Sequence, residues 1–524
     1  MPSRRPGGSH GPKATLGAVA LDPRTPVLVG VGQVTARPEP GLPLTDRAEP
    51  VELMARALEV AGEDTGADAG GRRLLARAQS MRVMVPLSWR YVNPGLLVSR
   101  RLAIEPSELA LAVIGGNTPQ AVVNRTALQI AAGELDVALL CGAECIFTRR
   151  AARRDPDRPV LEWTTQAEDT SPPVMLGEDR TPVNEVEIAR GLDRPLRVFP
   201  LFENALRSVA GETIEEHQRA VSDLWARFSS AAATNPHAWS RGPHSAEELR
   251  SIGPSNRMVS FPYPKLMNAN DRVDQGAALI LCSAGAAREA GVPEERWVFP
   301  VAGADAHDHW FLSHRDNLRS SPAIRIAGAR ALALAGAGID DVAHVDLYSC
   351  FPCAVQIAAR ELGLSLDDPG RSLTVTGGLG FAGGPGNNYV THSIASMAER
   401  LRSDPGALGL VTGLGWYCTK HAVGVWSTKP PAAGFGYEWP QDAVDALPRR
   451  SLASDYEGDA TVETYTVVHD RDGEPELAIL ALLTEDGQRA WGNTANRDDM
   501  VGLMETEGCG RKARLTADGR AELR

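Results

Sequence analysis

The sequence repeats itself, and this internal duplication limits the folds that the chain can adopt. "ARALEVAG" (55–62) returns as "ARALALAG" (329–336), with six of the eight positions identical. "VIGG" (113–116) returns as "VTGG" (375–378), and "LLCG" (139–142) is echoed by "LVTG" (410–413). The three matches come in the same order and at similar offsets, so the chain contains two related halves.

Each half follows the same order of predicted elements. An alanine-rich helix comes first, then an apolar strand, and then a strand that ends in Val-x-Gly-Gly. A helix follows, over about 119–133 in the first half and about 389–403 in the second, and then another apolar strand. Apolar strands that alternate with helices predict mostly parallel sheets covered on both faces. We therefore predict a layered α/β body with buried central helices.

The segments outside the two halves have a different composition. The first residues lack the apolar core of a signal peptide and predict a disordered tail. Basic and Pro-rich stretches between the halves predict an inserted loop domain. Short strands separated by Asp472-Gly473 and Asp486-Gly487 turns predict a small β-barrel of oligonucleotide/oligosaccharide-binding (OB) type. The predicted units are the tail (1–24), the first half (25–147 and 266–295), the insertion (148–265), the second half (296–427) and the C-terminal domain (428–524).

Composition excludes several classes of function. No apolar run reaches the roughly 18 residues of a membrane helix, and the net charge of −12 gives no case for nucleic acid or anionic membranes. The C-terminal segment itself holds 19 acidic against 11 basic residues. Seven cysteines, an odd number, argue against a disulfide framework. We expect a cytoplasmic protein with no membrane insertion and no nucleic-acid partner.

Two short motifs suggest cofactors that their surroundings do not support. Cys350-Phe-Pro-Cys353 has redox spacing but is interpreted as two reduced thiols, and the His307, His309 and His314 cluster lacks a matching ligand pattern, so no metal site is expected. "GLGFAG" (378–383) matches the glycine spacing of a dinucleotide turn. An NAD site would also need an acidic residue after a second strand, about 20 positions on. Asp404 lies near that distance but directly follows the predicted helix, so the NAD interpretation is disfavoured.

The duplicated halves, the insertion after "ELDVALLCGAE" and the turn "TVTGGLGFAGGPGNN" resemble the thiolase superfamily over about 25–427. "PLFENALR" in the insertion is similar to the sterol-carrier-protein branch, and with the added C-terminal domain the chain resembles the thiolase-like proteins of type 1, which are usually named acetyl-CoA acetyltransferases. The resemblance implies a five-layered αβαβα fold and an acyltransferase ancestry in lipid metabolism. It also implies coenzyme A or acyl-CoA as a ligand, without a tightly bound cofactor, in a monomer or homodimer.

The residues that carry out thiolase chemistry are missing where the resemblance places them. A thiolase forms a thioester on a cysteine activated at a helix N-terminus and by a histidine. Gly116 stands at the position of that cysteine, and Gly384 at the position of the Gly-His-Pro histidine. Tyr348 replaces the Asn or His of the oxyanion hole. The resemblance therefore implies a chain that is deficient in Claisen condensation and thiolysis.

The retained groups give a set of candidate site residues. Tyr348 is predicted to donate to a thioester oxygen, Cys350 and Cys418 to replace the lost thiols, and His421 to act as a base. Gly115, Gly116 and Asn117 begin a helix whose N–H groups favour a carbonyl or anion. Each has a structural alternative, namely a tight turn, a packed tyrosine or inert buried cysteines. The remaining predicted contacts to coenzyme A are Asp271, Gly383 and Gly384.

Two functions are consistent with this set. The first is a protein that binds, and acts on, acyl-CoA thioesters without the usual catalytic Cys and His. The alternative is a non-catalytic CoA-binding scaffold partner of a lipid or sterol metabolic complex.

Overall fold

The computed structural model describes residues 21–67 and 69–524. Most of the predicted disordered tail (1–24) lies outside the described residues. Among the helices of the described part, none has the length and apolar character needed to cross a bilayer.

The first half forms a six-stranded sheet in the order β1-β8-β4-β2-β3-β5. The strands β4, β2, β3 and β5 run parallel to one another, whereas β8 is antiparallel to both β1 and β4. Elements up to the insertion are β1 (Pro26–Thr35), α1 (Pro50–Asp64), α2 (Gly70–Ala76), β2 (Ser80–Met84), α3 (Pro94–Leu102), β3 (Glu108–Ala112), α4 (Thr118–Ala132) and β4 (Val137–Cys145).

The insertion is mainly helical. Its elements, and those that complete the first half, are α5 (Ile146–Arg154), β5 (Val174–Leu176), α6 (Glu185–Ala189), α7 (Pro195–Ala210), α8 (Ile214–Thr234), α9 (Ala246–Arg250), β6 (Met258–Ser260), β7 (Tyr263–Pro264), β8 (Asp274–Ser283) and α10 (Ala284–Ala290). Helix α7 packs against the C-terminal sheet and the second half, and α8 packs against the second half. The insertion is therefore fixed on two sides.

The second half repeats the arrangement of the first, in a five-stranded sheet ordered β10-β11-β12-β9-β13. Its elements are β9 (Phe299–His307), α11 (Pro322–Leu334), β10 (Val342–Asp346), α12 (Pro352–Leu362), α13 (Gly378–Phe381), α14 (Tyr389–Ser403), β11 (Leu408–Gly415), β12 (Lys420–Ser427) and β13 (Gly436–Glu438). The repeated segments fall on equivalent elements: the alanine-rich repeats lie in α1 and α11, and the "LLCG" and "LVTG" repeats lie in β4 and β11.

The two sheets enclose a central layer of helices. Helix α4 packs against strands of both sheets, and α14 packs against α4 and against both sheets. Helix α4 has a proline in its first turn and ends at Gly133, whose φ of 77° gives the left-handed cap that glycine favours. Helices α1 and α11 cover the outer faces. The predicted layered α/β body and its buried central helices are confirmed.

One predicted strand is absent. The segment that ends in Val375-Thr376-Gly377-Gly378 is irregular, whereas its counterpart in the first half follows strand β3. The carboxylate of Asp346 accepts hydrogen bonds from the N–H groups of Val375 (2.9 Å) and Thr376 (3.3 Å). Those amides point at one side chain instead of at a neighbouring strand, so this part of the prediction was wrong.

The C-terminal segment is mostly β-structure, as predicted. Its sheet has the order β16-β15-β14-β17-β18, and β6 of the insertion pairs with β14. A parallel bridge between Asn493 and Arg520 brings β16 and β18 together; the OB-type barrel stays a prediction. The elements are α15 (Gln441–Asp445), β14 (Gly458–His469), β15 (Pro475–Leu483), β16 (Arg489–Thr494), α16 (Arg497–Glu505), β17 (Lys512–Leu515) and β18 (Ala521–Leu523).

Candidate functional site

The structure brings the two glycine-rich turns of the duplicated halves together. The first glycine turn (114–117) leads into α4, and the second glycine turn (383–387) precedes α14. The side-chain oxygen of Asn387 accepts a hydrogen bond from the N–H of Gly115 at 2.9 Å. Asn387 in turn donates to the carbonyl of Val85 at 2.8 Å. The two glycine turns therefore meet beside the N-terminus of the central helix α4.

An unpartnered polar atom lies at this helix start. The side-chain oxygen of Asn117 is buried and, in the described part of the chain, accepts no hydrogen bond. The helix N-terminus beside it carries partial positive charge. The first glycine turn thus combines a positive helix end with a polar group that lacks a protein partner.

Tyr348 fills the space above Gly116. A side-chain carbon at Gly116 would overlap the hydroxyl oxygen of Tyr348 and lie 2.6 Å from its ring and 2.5 Å from the carbonyl oxygen of Leu414. The Tyr348 ring is buried and packs edge-on against Tyr389, with centroids 5.5 Å apart. Tyr348 therefore contacts the first glycine turn and leaves no room for a side chain at position 116.

The two cysteines proposed as replacement thiols are buried and not activated. Burial raises the pKa of Cys418 to about 12, and it also raises the pKa of Cys350. A thiol needs a lowered pKa to act as a nucleophile near neutral pH. All seven cysteines are free, including Cys350 and Cys353.

His421 belongs to a buried polar network. Its Nε2 lies 3.2 Å from a carboxylate oxygen of Asp308, 3.2 Å from the hydroxyl of Ser321 and 3.1 Å from the carbonyl of Cys418. Burial opposes ionisation of Asp308, but His421 and Arg315 outweigh it and hold the pKa of that carboxyl below its usual value. Because the carboxylate and the hydroxyl approach the same ring nitrogen, His421 is not arranged as a relay between an acid and a nucleophile.

Lys420 also lies at this site, and the sequence did not predict it as a site residue. It begins β12, two residues after Cys418, and its ammonium group donates to the carbonyl of Ile114 at 2.6 Å. A side-chain carbon at Gly115 would lie 2.7 Å from the Lys420 nitrogen. Burial lowers the pKa of Lys420 to about 8, although Asp179 and Glu178 oppose this shift. The signal available in the sequence was the rarity of lysine, since the chain has five lysines against 49 arginines.

Asp271 lies beside the second glycine turn. The carbonyl of its neighbour Asn270 accepts a hydrogen bond from the N–H of Gly384 at 2.9 Å. The Asp271 carboxylate itself is held by both terminal nitrogens of Arg150, at 2.9 and 2.6 Å. Gly383 packs against Gln275, which donates to the carbonyl of Ala382.

A group of arginines surrounds this edge of the site. We call it the basic surface. Arg154, Arg150 and Arg257 lie within electrostatic range of Arg272, and Arg153 and Arg150 lie within range of Arg149, with Asp271 and Glu144 among them. In a chain with a net charge of −12, such a cluster is a local site of attraction for anions. Its members are Arg149, Arg150, Arg153, Arg154, Arg257 and Arg272.

The conformation of the segment before the second glycine turn depends on Asp346. This carboxylate is fully buried and accepts hydrogen bonds from Thr374, Tyr389 and Ser393 side chains in addition to two backbone amides. Gly377 and Gly378, which follow, have φ angles of 98° and 79° that favour glycine. The glycine-rich stretch at 378–383 thus follows an irregular segment and contains the short helix α13 (Gly378–Phe381), without the strand that a dinucleotide turn requires. Within residues 21–67 and 69–524, no three His, Cys, Asp or Glu side chains are grouped as metal ligands.

The layered fold and the paired turns define this chain as a member of the thiolase superfamily. A monomeric SCP2-thiolase-like protein type 1 from Mycobacterium smegmatis is similar over 96% of this chain and 100% of that one, with 35% sequence identity and a TM-score of 0.80. The chain belongs to this SCP2-thiolase-like protein type 1 family. Residues 440–520 match the family model for the additional C-terminal domain of thiolase-like protein type 1.

More distant structures show the fold alone. The dimeric peroxisomal thiolase of Saccharomyces cerevisiae has a TM-score of 0.54 at 14% identity, covering 78% of this chain and 98% of that one. An acetyl-CoA acetyltransferase from Syntrophomonas wolfei has a TM-score of 0.52 at 16% identity, covering 77% and 99%. No curated protein matches the chain.

Proposed function

We propose that the chain binds an acyl-CoA thioester at the first glycine turn and lacks the cysteine-dependent Claisen and thiolysis activities. The observation that carries the second part is the position of the Tyr348 hydroxyl, which occupies the space of any side chain at Gly116. Loss of a nucleophile costs several orders of magnitude in rate, and loss of its base leaves little beyond positioning. The buried thiols of Cys350 and Cys418 offer no substitute.

Three features support an acyl-CoA thioester as the ligand. The start of α4 and the ammonium group of Lys420 supply positive charge where a carbonyl oxygen would bind. The basic surface lies at the edge of the second glycine turn, where it would meet the phosphates of coenzyme A. The fold is shared with proteins named as a thiolase and as an acetyl-CoA acetyltransferase. We further propose that the protein is cytoplasmic, monomeric and active in lipid metabolism.

Calorimetric titration tests the binding. We expect CoA and acetyl-CoA to bind and NAD not to bind.

Replacing Arg153 and Arg154, which are exposed at the end of α5, by glutamate should weaken CoA binding by about tenfold or more, because charge-assisted contacts to phosphate are lost. The matched control is the double glutamate variant of Arg72 and Arg73, which are also adjacent, exposed and helical. Equal CoA affinity in the two double variants would remove the basic surface from the proposal, and absence of CoA binding by the unmodified protein would end it.

A thiolysis assay tests the missing chemistry. With acetoacetyl-CoA and free CoA, we expect turnover below about one per second. Typical enzymes turn over faster than this, so the rate separates a competent thiolase from a chain that lacks the nucleophile. The assay follows the loss of the acetoacetyl-CoA enolate absorbance, with a competent thiolase as positive control. Faster turnover by the purified chain would show that the nucleophile lies elsewhere.

The scaffold alternative is favoured by one surface feature. The Trp439 side chain, at the start of the C-terminal segment, is 60% exposed, and exposed tryptophans are enriched at protein interfaces. A chain that binds CoA but turns over no acyl-CoA thioester in any assay would support the scaffold function over the enzymatic one.

A further inference from the structure

Lysine is rare in this chain, and one lysine is placed differently from the rest. Of 54 basic residues, five are lysines and 49 are arginines. Lys265, Lys429 and Lys512 are exposed, whereas Lys420 alone among the lysines in the described residues is partly buried. An arginine stays charged in proteins, but a lysine can lose its proton when it is buried. A site that needs a free amine therefore needs a lysine, even in a chain that otherwise uses arginine.

Lys420 lies against the first glycine turn. Its nitrogen donates to the carbonyl of Ile114 at 2.6 Å and approaches the backbone of Gly115 so closely that a side chain there would collide with it. It also lies 5.6 Å from the centre of the Trp416 ring. The single hydrogen bond to Ile114 engages one proton of the amine, so the neutral amine would keep a lone pair free for a ligand.

Burial of Lys420 shifts its amine towards the neutral form. Burial lowers the pKa of Lys420 to about 8, and the positive end of α4 lies beside the same turn. The acidic groups that face it are Asp179 and Glu178, both of which raise its pKa and do not reverse the shift. At neutral pH a measurable fraction of this amine is unprotonated, unlike that of an ordinary exposed lysine.

We propose that Lys420 is an imine-forming residue that captures the ketone carbonyl of a 3-oxoacyl thioester bound at the first glycine turn. The proposal rests on the proposed acyl-CoA site and names its substrate class. The amine nitrogen attacks the ketone carbon, and one amine proton moves to the former carbonyl oxygen to give a carbinolamine hydroxyl. That hydroxyl then leaves with the remaining amine proton as one water, and the carbon–nitrogen double bond forms. The imine that remains is returned to ketone and amine by the reverse hydrolysis.

A ketone suits this lysine better than the thioester carbonyl does. Attack on the thioester would expel the thiol of CoA and leave a stable amide on Lys420. An imine is reversible, and a lysine with a lowered pKa in a desolvated position is the usual source of one. Such chemistry needs no thiol at position 116, which agrees with the space that Tyr348 fills there.

Reductive trapping tests the proposal. The full-length protein is incubated with acetoacetyl-CoA and sodium cyanoborohydride, digested and analysed by mass spectrometry. We expect the secondary-amine adduct on the peptide that contains Lys420, in at least about tenfold excess over Lys429, because burial lowers the pKa of Lys420 and so increases its fraction of free amine. The Lys420→Arg variant should lose the adduct, and the Lys429→Arg variant should retain it.

A second probe separates this proposal from the proposed function. Pentane-2,4-dione presents a ketone without coenzyme A and is trapped in the same way, while calorimetry reports acetoacetyl-CoA binding. Trapping of the dione at Lys420 without acetoacetyl-CoA binding would support the imine-forming lysine and overturn the acyl-CoA site. Binding of acetoacetyl-CoA with no adduct from either probe would overturn the role of Lys420 and leave the acyl-CoA site standing. If neither probe is trapped and acetoacetyl-CoA does not bind, both proposals are overturned.

Discussion

We expect the Asp346→Ala variant to lose about 3 to 5 kcal/mol of unfolding free energy, among the largest losses a single substitution causes. Asp346 is fully buried and accepts hydrogen bonds from residues spread over 374–393. Removing the carboxylate leaves hydroxyl and amide donors buried without an acceptor, and each costs its own desolvation free energy. Denaturant unfolding followed by circular dichroism measures the loss.

The same substitution should loosen the approach to the second glycine turn. The amides of Val375 and Thr376 donate to Asp346, so hydrogen exchange of these two amides should accelerate more than exchange in α4. Asp223→Ala is the matched control, because Asp223 is exposed in the middle of α8, and a surface substitution of this kind changes stability by less than about 0.5 kcal/mol. A stable Asp346→Ala variant, with unchanged exchange at 375–376, would contradict the role assigned to the carboxylate.

The duplication made most of the fold predictable from the sequence. The matched segments at 55–62 and 329–336 lie on equivalent helices, and the predicted central helix at about 389–403 is α14 (Tyr389–Ser403). The strand predicted before Gly377 failed because Asp346, nearly 30 residues earlier, takes the hydrogen bonds that a strand would share. Such a side-chain acceptor is visible only once the chain is folded.

The two glycine turns of the candidate site could be located from the sequence, whereas the groups around them could not. The glycine turns at Gly116 and Gly384 follow from the repeat and the family resemblance, and the bond between Gly115 and Asn387 shows that the turns of the two halves meet. The sequence prediction missed Lys420 because it selected Cys418 and His421 in the same segment as candidates. The burial of Cys418 and His421 depends on packing between distant segments, which the local sequence does not show.

We expect Gly116→Ala to destabilise the chain by about 3 kcal/mol, at the upper end of the cost of overpacking. The added carbon would overlap the Tyr348 hydroxyl and lie 2.5 Å from the Leu414 carbonyl oxygen, so either a buried ring or a strand backbone has to move. Gly242→Ala is the matched control, because nothing lies within 4 Å of a side-chain carbon at Gly242. Thermal and denaturant unfolding of the two variants gives the comparison.

A double-mutant cycle separates the two obstacles at position 116. Tyr348→Ala removes the ring but leaves the Leu414 carbonyl in place, so the cycle should show a coupling of about 1 to 2 kcal/mol and only partial rescue of Gly116→Ala. For the same reason Gly116→Cys, alone or with Tyr348→Ala, should form no acyl-enzyme with acetyl-CoA detectable by intact-protein mass. An acyl-enzyme on the single Gly116→Cys variant would show that the turn can open enough to accept a nucleophile. The lost activity would then be attributable to the missing thiol alone, and the filled space above Gly116 would be a consequence of that loss and not a second barrier to thiolase chemistry.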